Sequence, residues 1–368
     1  MSVLRLVPLA LLGFAAAAGC ARPEAPPAAA SAPAFEEILK IDVHTHVFED
    51  VPALNDMLRK NRVHIINVAV PATDGHLERM HQIGAQLART YPDLFHFAST
   101  FDLTRRAEPG YHEAVKAALD RTFADGAVMT KIWKEVGLDI KRPDGSFHMP
   151  DDELFDPIYA HLAERGKPLL AHLAEPLEAW QPLDPNGVHY SYYSRNPRWH
   201  LYGKPEYPSH ADIIAARDRV LERHPTLTLI GAHLGSLEHD VDEVAKRLDR
   251  YPNFHVEVSA RTRDLTHQPS DKVRAFFLKY QDRILYGVDR TWKPYRSETP
   301  PTDDARAAFV RGLEEQYRRD FAYYAGTGQV QYGDRQIEAL GLPREVLEKF
   351  YYRNAQRLIP ELANVKPS

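Results

Sequence analysis

Short apolar runs alternate with amphipathic segments along most of the chain. Eight runs are rich in β-branched and aromatic residues, at positions 38–44, 63–70, 94–101, 126–133, 167–172, 226–233, 253–258 and 283–288. Between them, apolar residues recur three and four apart, which predicts helices, for example over 76–90, 111–124, 152–165, 211–223 and 237–250. Alternating strands and helices are typical of βα units with a parallel sheet. The pattern therefore predicts an α/β fold, and eight units suit a (β/α)8 TIM barrel.

A doubly wound open sheet is the alternative architecture for the same alternation. It is disfavoured because no glycine-rich phosphate loop follows the first strand. Two features extend the eight units. A long loop without helical or strand period, residues 173–210, follows the fifth strand, and residues 305–325 and 344–359 predict a C-terminal helical extension.

The first 35 residues follow another pattern. Residues 1–19 have a basic start, small residues at their end and an apolar run shorter than the about 20 residues that a membrane-spanning helix needs. They are followed by Cys20, the one cysteine of the chain, and together they resemble a bacterial lipoprotein signal peptide with Cys20 as the lipidation site. An ordinary secretory signal is the alternative.

This resemblance implies a location and a domain plan. The protein would face the bacterial periplasm, anchored to the membrane by lipid at Cys20, and in the outer membrane because Ala21 does not resemble a retention signal for the inner one. Residues 20–35 are rich in Ala and Pro and predict a tether. The barrel is expected over residues 36–360, and a short tail over 361–368.

Composition narrows the classes of function. The 368 residues include Lys+Arg 46 and Asp+Glu 51, for a net charge of -5, so the basic excess that attracts nucleic acid is missing. A single cysteine excludes an internal disulfide framework and a cysteine-rich metal site. Histidine is abundant, at 18 residues, which favours metal or acid–base chemistry because imidazole serves both.

Ionisable residues end four of the predicted strands. His44 and His46 lie two apart at the end of the first strand, where side chains share a face. His172 ends the fifth strand, His233 the sixth, and Asp289 the eighth. Barrel active sites lie at the C-terminal strand ends, and nitrogens converging with a carboxylate match a zinc-type site. The sequence therefore predicts a divalent metal centre, with Zn²⁺ as the expected ion.

The same pattern resembles the amidohydrolase superfamily, and within it the amidohydrolase-related branch that includes aminocarboxymuconate-semialdehyde decarboxylase. His-x-His after strand one, His after strands five and six and Asp after strand eight form that family's set. Residues 232–235 (AHLG), 285–289 (LYGVD) and 352–358 (YRNAQRL) resemble other sequence motifs typical of that family. The resemblance extends over residues 40–358.

The resemblance implies a role for each of these residues. His44, His46, His172 and Asp289 would bind the metal, and His233 would handle a proton or stabilise charge, with a fifth-ligand role as the alternative. A bound divalent ion can lower the pKa of water from roughly 16 to about 7 and can polarise a carbonyl. Asp289 could then also accept the proton of the water, and His233 could donate to the oxyanion or the leaving group.

Lys131 in the fourth strand leaves the metal count open. In some amidohydrolases a lysine at this place is carboxylated and bridges two metals. A cationic contact to the substrate and a structural ion pair are the other interpretations. One ion is favoured, and two would follow from carboxylation of Lys131.

Further residues are candidates for binding substrate or supporting the site. Glu175 lies three residues after His172, and Arg261 and Arg263 follow the seventh strand, where a guanidinium can bind a carboxylate through two hydrogen bonds. Asp42 is expected to support the metal ligands rather than bind the ion. Trp133 and Lys134, at the end of the fourth strand, are candidates for lining the pocket.

The long loop 173–210 is unusually aromatic. It carries Trp180, a candidate for substrate binding, together with Tyr190, Tyr192, Tyr193, Trp199, Tyr202 and Tyr207. The loop is expected either to cover the barrel mouth as a lid or to pack against a helix or a second subunit of a homo-oligomer.

The function expected from these features is a metal-dependent hydrolase that uses activated water on a small amide, ester or lactone. A metal-dependent decarboxylase or lyase of the same superfamily is the first alternative. A non-catalytic lipoprotein that binds a metal or a ligand is the second. The expected partners are a small-molecule substrate and the membrane, with no nucleic acid.

Overall fold

The computed structural model of the protein describes residues 32–70 and 75–366, together with residues 1 and 3. Apart from residues 1 and 3, the expected signal peptide lies outside the described residues, as do Cys20 and nearly all of the tether. The chain from Ala32 onward clusters into one compact unit. Within the described part, no helix combines the length and apolar character needed to cross a membrane.

Parallel strands form one sheet, in which the first eight strands of the described part each pair with the next along the chain. In the described residues this sheet consists of β1 (Lys40–Val47), β2 (Val63–Val68), β3 (Phe95–Ser99), β4 (Ala127–Ile132), β5 (Leu169–Ala171), β6 (Leu229–Gly231), β7 (Phe254–Glu257), β8 (Ile284–Leu285) and β9 (Arg290–Trp292). These strands are almost entirely buried except β9, which is partly exposed.

The barrel closes through a split eighth strand. β8 pairs with β7, whereas β9 pairs in parallel with β1, with Thr45 opposite Arg290. Between the two halves, the Val43 amide donates to the Tyr286 carbonyl at 3.0 Å and the Asp289 amide donates to the His44 carbonyl at 2.7 Å. The first and last strands are therefore neighbours, as a closed barrel requires. This confirms the predicted (β/α)8 TIM barrel.

Helices surround the sheet, and short turns occupy the loops at the strand ends. In chain order the helical segments of the described part are α1 (Pro52–Asn61), α2 (Leu77–Thr90), α3 (Tyr111–Ala124), α4 (Glu135–Leu138), α5 (Asp156–Glu164), α6 (Tyr190–Arg195), α7 (His210–Arg223), α8 (Ala232–Gly235), α9 (Val241–Arg250), α10 (Thr262–Leu265), α11 (Ser270–Lys279), α12 (Asp303–Ala325), α13 (Arg344–Glu348) and α14 (Asn354–Leu358). Helix α9 begins later than the periodicity predicts because the Asp240 side chain caps it, accepting from the Asp242 amide.

The C-terminal extension is helical, as predicted, and belongs to the core. A π-helical turn, Lys349–Arg353, joins α13 to α14. Ala355 and Ile359 pack in one buried cluster with Ile41, Val43 and other strand residues. The Asn354 side chain donates to the carbonyls of Gln281 and Ile284, each at 2.8 Å. These hydrogen bonds attach the segment 352–358 to the start of the eighth strand.

Two local features differ from the predicted pattern. The loop 173–210 is not irregular throughout, because it contains the 3-10 turns Leu177–Trp180 and Pro197–Trp199 and the helix α6. An antiparallel hairpin of β10 (Gln329–Tyr332) and β11 (Arg335–Glu338) follows α12. Its strands are only four residues long and largely exposed, so they lack the apolar run that predicts a strand.

Candidate metal centre

Three of the predicted ligands meet at the C-terminal ends of the first and eighth strands. His44, His46 and Asp289 each offer a ligand atom, and these atoms lie within 4.8 Å of one another. Asp289 Oδ1 is 3.1 Å from His46 Nε2 and 3.8 Å from His44 Nε2. The closure of the barrel brings them together, because the Asp289 amide is bonded to the backbone of His44.

Hydrogen bonds fix the His46 ring so that a lone pair faces a carboxylate. His46 Nδ1 donates to the Val68 carbonyl at 2.6 Å, so in the neutral ring Nε2 carries no hydrogen. Burial lowers the pKa of His46 to about 3, which favours the neutral ring at ordinary pH. The Nε2 lone pair and Asp289 Oδ1 are thus two acceptors 3.1 Å apart, an arrangement that a cation between them would stabilise.

Glu257 orients the His44 ring in the same way. The buried Glu257 carboxylate accepts from His44 Nδ1 at 2.9 Å, and Ser259 Oγ also lies 2.9 Å from that nitrogen. Glu257 Oε1 further accepts from the His233 amide at 3.0 Å. A carboxylate that holds the second nitrogen of a ligating histidine is a common feature of metal sites. His44 Nε2 is thereby left as the ligand atom.

The crowding at this strand end explains one glycine. A Cβ at Gly287, two residues before Asp289, would lie 3.0 Å from Glu257 Oε2 and 3.1 Å from His44 Cβ. Real side chains rarely tolerate such contacts. Gly287 therefore lets the eighth strand approach the His44 and Glu257 side chains.

Residues with a left-handed backbone conformation also cluster at the site. Ala174, His233, Ala260 and Asp289 follow strands five to eight, and all are non-glycine residues with φ between 56° and 66°. Such conformations cost energy and concentrate at functional sites. His and Asp are among the residue types that adopt them most readily, which suits His233 and Asp289.

His172 and His233 form a pair beside the ligand group. His233 Nδ1 donates to the Ser259 carbonyl at 2.8 Å, so its Nε2 accepts from His172 Nδ1 at 3.2 Å. His172 Nε2 is then an unprotonated, buried nitrogen without a hydrogen-bond partner. Such an orphaned acceptor is available to a metal ion, although His172 does not belong to the group formed by His44, His46 and Asp289.

Lys131 lies at the centre of the site. Its Nζ is 3.1 Å from His44 Nε2, the predicted ligand atom, and the side chain is fully buried. Burial lowers the pKa of Lys131 to about 8. Among the described residues no carboxylate forms an ion pair with Nζ within 4.0 Å, and carboxylation, a substrate contact and a structural role of Lys131 stay predictions.

Asp42 is held away from the metal-binding group. It accepts from the Tyr317 hydroxyl at 2.8 Å and from the amides of His44 and Val288. A register shift between Asp42 and Thr45 in the β1–β2 pairing breaks the simple alternation of β1. The carboxylate thus supports the backbone of His44 and the eighth strand, in line with its expected supporting position.

The long loop supplies one wall beside the centre. Lys134 forms a buried ion pair with Glu175 and donates to the Tyr192 hydroxyl at 2.9 Å. The Tyr193 hydroxyl donates to Glu175 at 3.3 Å. Trp199 stacks edge-on against Trp133, whose ring lies 6.5 Å from the ring of His172. Aromatic rings of the loop therefore adjoin a predicted ligand.

The remaining substrate candidates have different surroundings, and among them Arg261 is near enough to the centre that burial and its charge together lower the pKa of His233. Trp180 donates to the Pro208 carbonyl at 3.0 Å and packs against His210, within the loop and its flanking helix. Arg261 is buried, with Nε 3.6 Å from Glu238. Arg263 is exposed, and no hydrogen bond or ion pair joins its side chain to the other site residues in the described part. Their substrate roles stay predictions.

Glu257 and Ser259 are site residues that the sequence reasoning missed. Both follow the apolar residues of β7, and Glu257 is the last residue of that strand. An apolar run closing on an ionisable residue is the same signal that identified His172 and His233. In the predicted run 253–258, however, Glu257 is followed by Val258, so the run does not close on Glu257 and this signal did not identify it.

Replacing Glu257 by glutamine is expected to weaken metal binding by about 10- to 100-fold, because His44 loses its charged hydrogen-bond partner. The affinity is measured by competition with a coloured chelator, with Glu345→Gln on the exposed face of α13 as the matched control. Equal affinities of the Glu257→Gln and Glu345→Gln proteins would contradict this role.

A closed barrel with imidazoles and a carboxylate at its C-terminal strand ends defines a class, the metal-dependent TIM-barrel enzymes. The family model described as Amidohydrolase matches residues 41–360, and the chain belongs to this family. It therefore lies in the amidohydrolase superfamily, as the strand-end residues predict.

Solved structures share the fold at low identity. A 2,6-dihydroxybenzoate decarboxylase from Rhizobium is similar with a TM-score of 0.53 and 16% identity, covering 88% of this chain and 99% of that chain. A TIM-barrel protein from Bordetella bronchiseptica is similar with a TM-score of 0.50 and 15% identity, covering 89% and 100%. No curated protein matches this chain.

Proposed function

We propose that the protein is a metal-dependent hydrolase of a small amide, ester or lactone. The observation that carries the proposal is the approach of His46 Nε2 to Asp289 Oδ1 at 3.1 Å, while the other nitrogen of the ring, Nδ1, is bonded to the Val68 carbonyl. The orphaned His172 Nε2 adds a further donor atom to the same region. This set of imidazole and carboxylate donors fits Zn²⁺.

The metal would be held by His44, His46, His172 and Asp289. When bound, it would supply Lewis-acid polarisation of a carbonyl and activation of water. Asp289 has a second oxygen, Oδ2, which can accept a proton from the attacking water. This oxygen lies 3.9 Å from His233 Nε2, beyond hydrogen-bond distance, so passing the proton to His233 and on to the leaving group would require the two side chains to move closer together.

The residues around the centre would orient the substrate and exclude water. Lys131 is close enough to His44 to contact a substrate carbonyl or carboxylate placed at the centre. Trp199 presents aromatic surface next to Trp133, Lys134 lies 4.1 Å from the Trp199 ring centroid, and Lys134 also donates to the Tyr192 hydroxyl. This wall suits a substrate with an apolar or ring-bearing part.

Decarboxylation is the second candidate. One similar structure is a 2,6-dihydroxybenzoate decarboxylase, and the buried cation of Lys131 would suit a substrate carboxylate. In that reaction His233 would donate the proton that replaces carbon dioxide, whereas in hydrolysis it would protonate the leaving group.

Turnover of two substrate panels separates these functions. Purified protein loaded with Zn²⁺ is incubated with aryl esters, lactones and amides, and separately with aromatic carboxylic acids. We expect hydrolysis with incorporation of ¹⁸O from labelled water, abolished by a chelator and restored by Zn²⁺. Release of carbon dioxide instead would establish the decarboxylase. Metal binding without either reaction would contradict an enzymatic function for these substrate classes.

We also propose that the protein is a lipoprotein of the bacterial periplasmic side, anchored at Cys20. Changing Cys20 to serine is expected to move most of the protein from the membrane fraction to a soluble or unprocessed form, because the acyl chains have no attachment site. The measurement is fractionation after expression in a Gram-negative host, with metabolic labelling by palmitate. Equal membrane association of both proteins would refute the anchor.

A further inference from the structure

A second group of metal-type side chains lies outside the proposed catalytic centre. His189, Glu238 and Asp264 each present a ligand atom, and these atoms lie within 4.8 Å of one another. They come from three separate segments, the loop after β5, the segment after α8 and the turn α10. All three line a cavity of about 190 Å³. That volume holds an ion together with water molecules, since a water occupies about 30 Å³.

The two carboxylates of this group are incompletely bonded. Asp264 Oδ1 accepts from His189 Nε2 at 2.7 Å, but Asp264 Oδ2 is buried without a hydrogen-bond partner. Glu238 Oε2 is likewise buried and unpartnered, and the Glu238 side chain is only 2% exposed. Orphaned carboxylate oxygens are costly in a protein interior, so each such atom in a native structure calls for a partner.

The charges around the cavity leave an excess of negative charge. In the described part, Arg261 is the cation within 4.0 Å of Glu238, and its Nε is 3.6 Å from Oε2, beyond hydrogen-bond distance. One guanidinium faces two carboxylates. Burial raises the pKa of Glu238 to about 7, despite the opposing effect of Arg261. The surroundings therefore do not fully compensate the ionised form of Glu238.

We propose that His189, Glu238 and Asp264 bind a divalent transition-metal ion of the Zn²⁺ type at a site separate from the catalytic centre. One imidazole nitrogen with two carboxylate oxygens is a donor set that such ions accept, and the cavity provides room for water as a further ligand. On binding, His189 Nε2 gives up its hydrogen, and the single proton of the neutral ring moves to Nδ1.

An ion at this place would tie the aromatic loop to the barrel. His189 directly precedes α6, which carries Tyr192 and Tyr193, whose hydroxyls contact Lys134 and Glu175. Glu238 and Asp264 follow the sixth and seventh strands. The ion would thus crosslink the wall of the proposed substrate pocket to two other loops, and it would stabilise the folded protein through preferential binding to the native state.

The test counts zinc in proteins whose catalytic centre is disabled. In a His46→Ala/Asp289→Asn background, zinc per chain is measured by mass spectrometry after equilibration in a zinc-buffered solution. We expect one equivalent to remain, and to be lost when His189→Ala is added. His239→Ala, which removes another imidazole lining the same cavity, is the matched control and should keep the equivalent.

Thermal unfolding gives a second readout that is independent of activity. Zn²⁺ should raise the Tm of the background protein and of its His239→Ala variant, and the His189→Ala variant should lose this shift. Asp264→Asn should behave like His189→Ala. If Asp264→Asn fails to fold, His189→Ala still decides the question, because His189 is a partly exposed loop residue whose loss leaves the core intact.

Two results would overturn the site. The first is a background protein that binds no stoichiometric zinc, and the second is an unchanged zinc content after His189→Ala. Neither result bears on the proposed hydrolase, which depends on the residues already replaced in the background. Conversely, if the wild-type protein shows no hydrolase activity, the zinc equivalent expected at His189, Glu238 and Asp264 is the same.

Discussion

Asp289→Asn is expected to lower turnover by about 10²- to 10⁴-fold and to reduce the content of catalytic metal. Asp289 Oδ1 is the atom that faces both His46 Nε2 and His44 Nε2, and Oδ2 is the candidate proton acceptor. The amide removes the negative charge while keeping the size of the side chain. Asparagine also tolerates the left-handed backbone at this position, where φ is 57°, so the fold should survive.

The measurement combines kinetics with metal analysis. Asp303→Asn, at a fully exposed carboxylate near the start of α12, is the matched control and should leave both quantities unchanged. The same loss of metal is expected for alanine variants of the other ligands, His44, His46 and His172. If three of these four positions retain wild-type metal content when substituted, the ligand set is wrong.

His233→Asn is expected to separate catalysis from metal binding. Turnover should fall by about 10²- to 10⁴-fold while the metal content stays at the wild-type level, because the proposed role of His233 is to handle a proton and not to bind the metal. Asparagine again suits the left-handed backbone, with φ of 59°. His112→Asn, on the outer helix α3, controls for the loss of a histidine as such.

Two outcomes would change the assignment of His233. Loss of metal in His233→Asn would favour the alternative in which this residue is a fifth ligand. Unchanged turnover with full metal content would show that His233 has no catalytic role and that the proton is handled by Asp289 alone.

The aromatic loop shows how a sequence pattern can leave two interpretations that the structure divides between residues. Tyr192 and Trp199 contact Lys134 and Trp133 beside the centre, and a lid role for these two rings stays a prediction. Trp180 and Tyr207 pack instead on His210 and Phe147, as expected for a structural loop. Aromatic composition alone does not distinguish these positions, since each ring buries apolar surface in either case.

Short-range patterns in the sequence were sufficient for the architecture and for the meeting of His44, His46 and Asp289 at the strand ends. Strand and helix periods extend over a few residues, and parallel βα units bring the C-terminal strand ends to one face. The order of the strands alone therefore predicts that His44, His46 and Asp289 lie together. The β1–β2 pairing shifts register between Asp42 and Thr45, and the Asp42 carboxylate is bonded to the Tyr317 hydroxyl and to backbone amides.

Only the tertiary structure decided the state and the partners of these side chains. His44 is oriented by Glu257, 213 residues away, and the His46 ring is set by a backbone carbonyl of the neighbouring strand. The site of His189, Glu238 and Asp264 likewise arises from three loops that have no common sequence pattern. Hydrogen-bond partners, tautomers and burial depend on contacts distant in sequence, and a local pattern carries no information about which distant atom completes each contact.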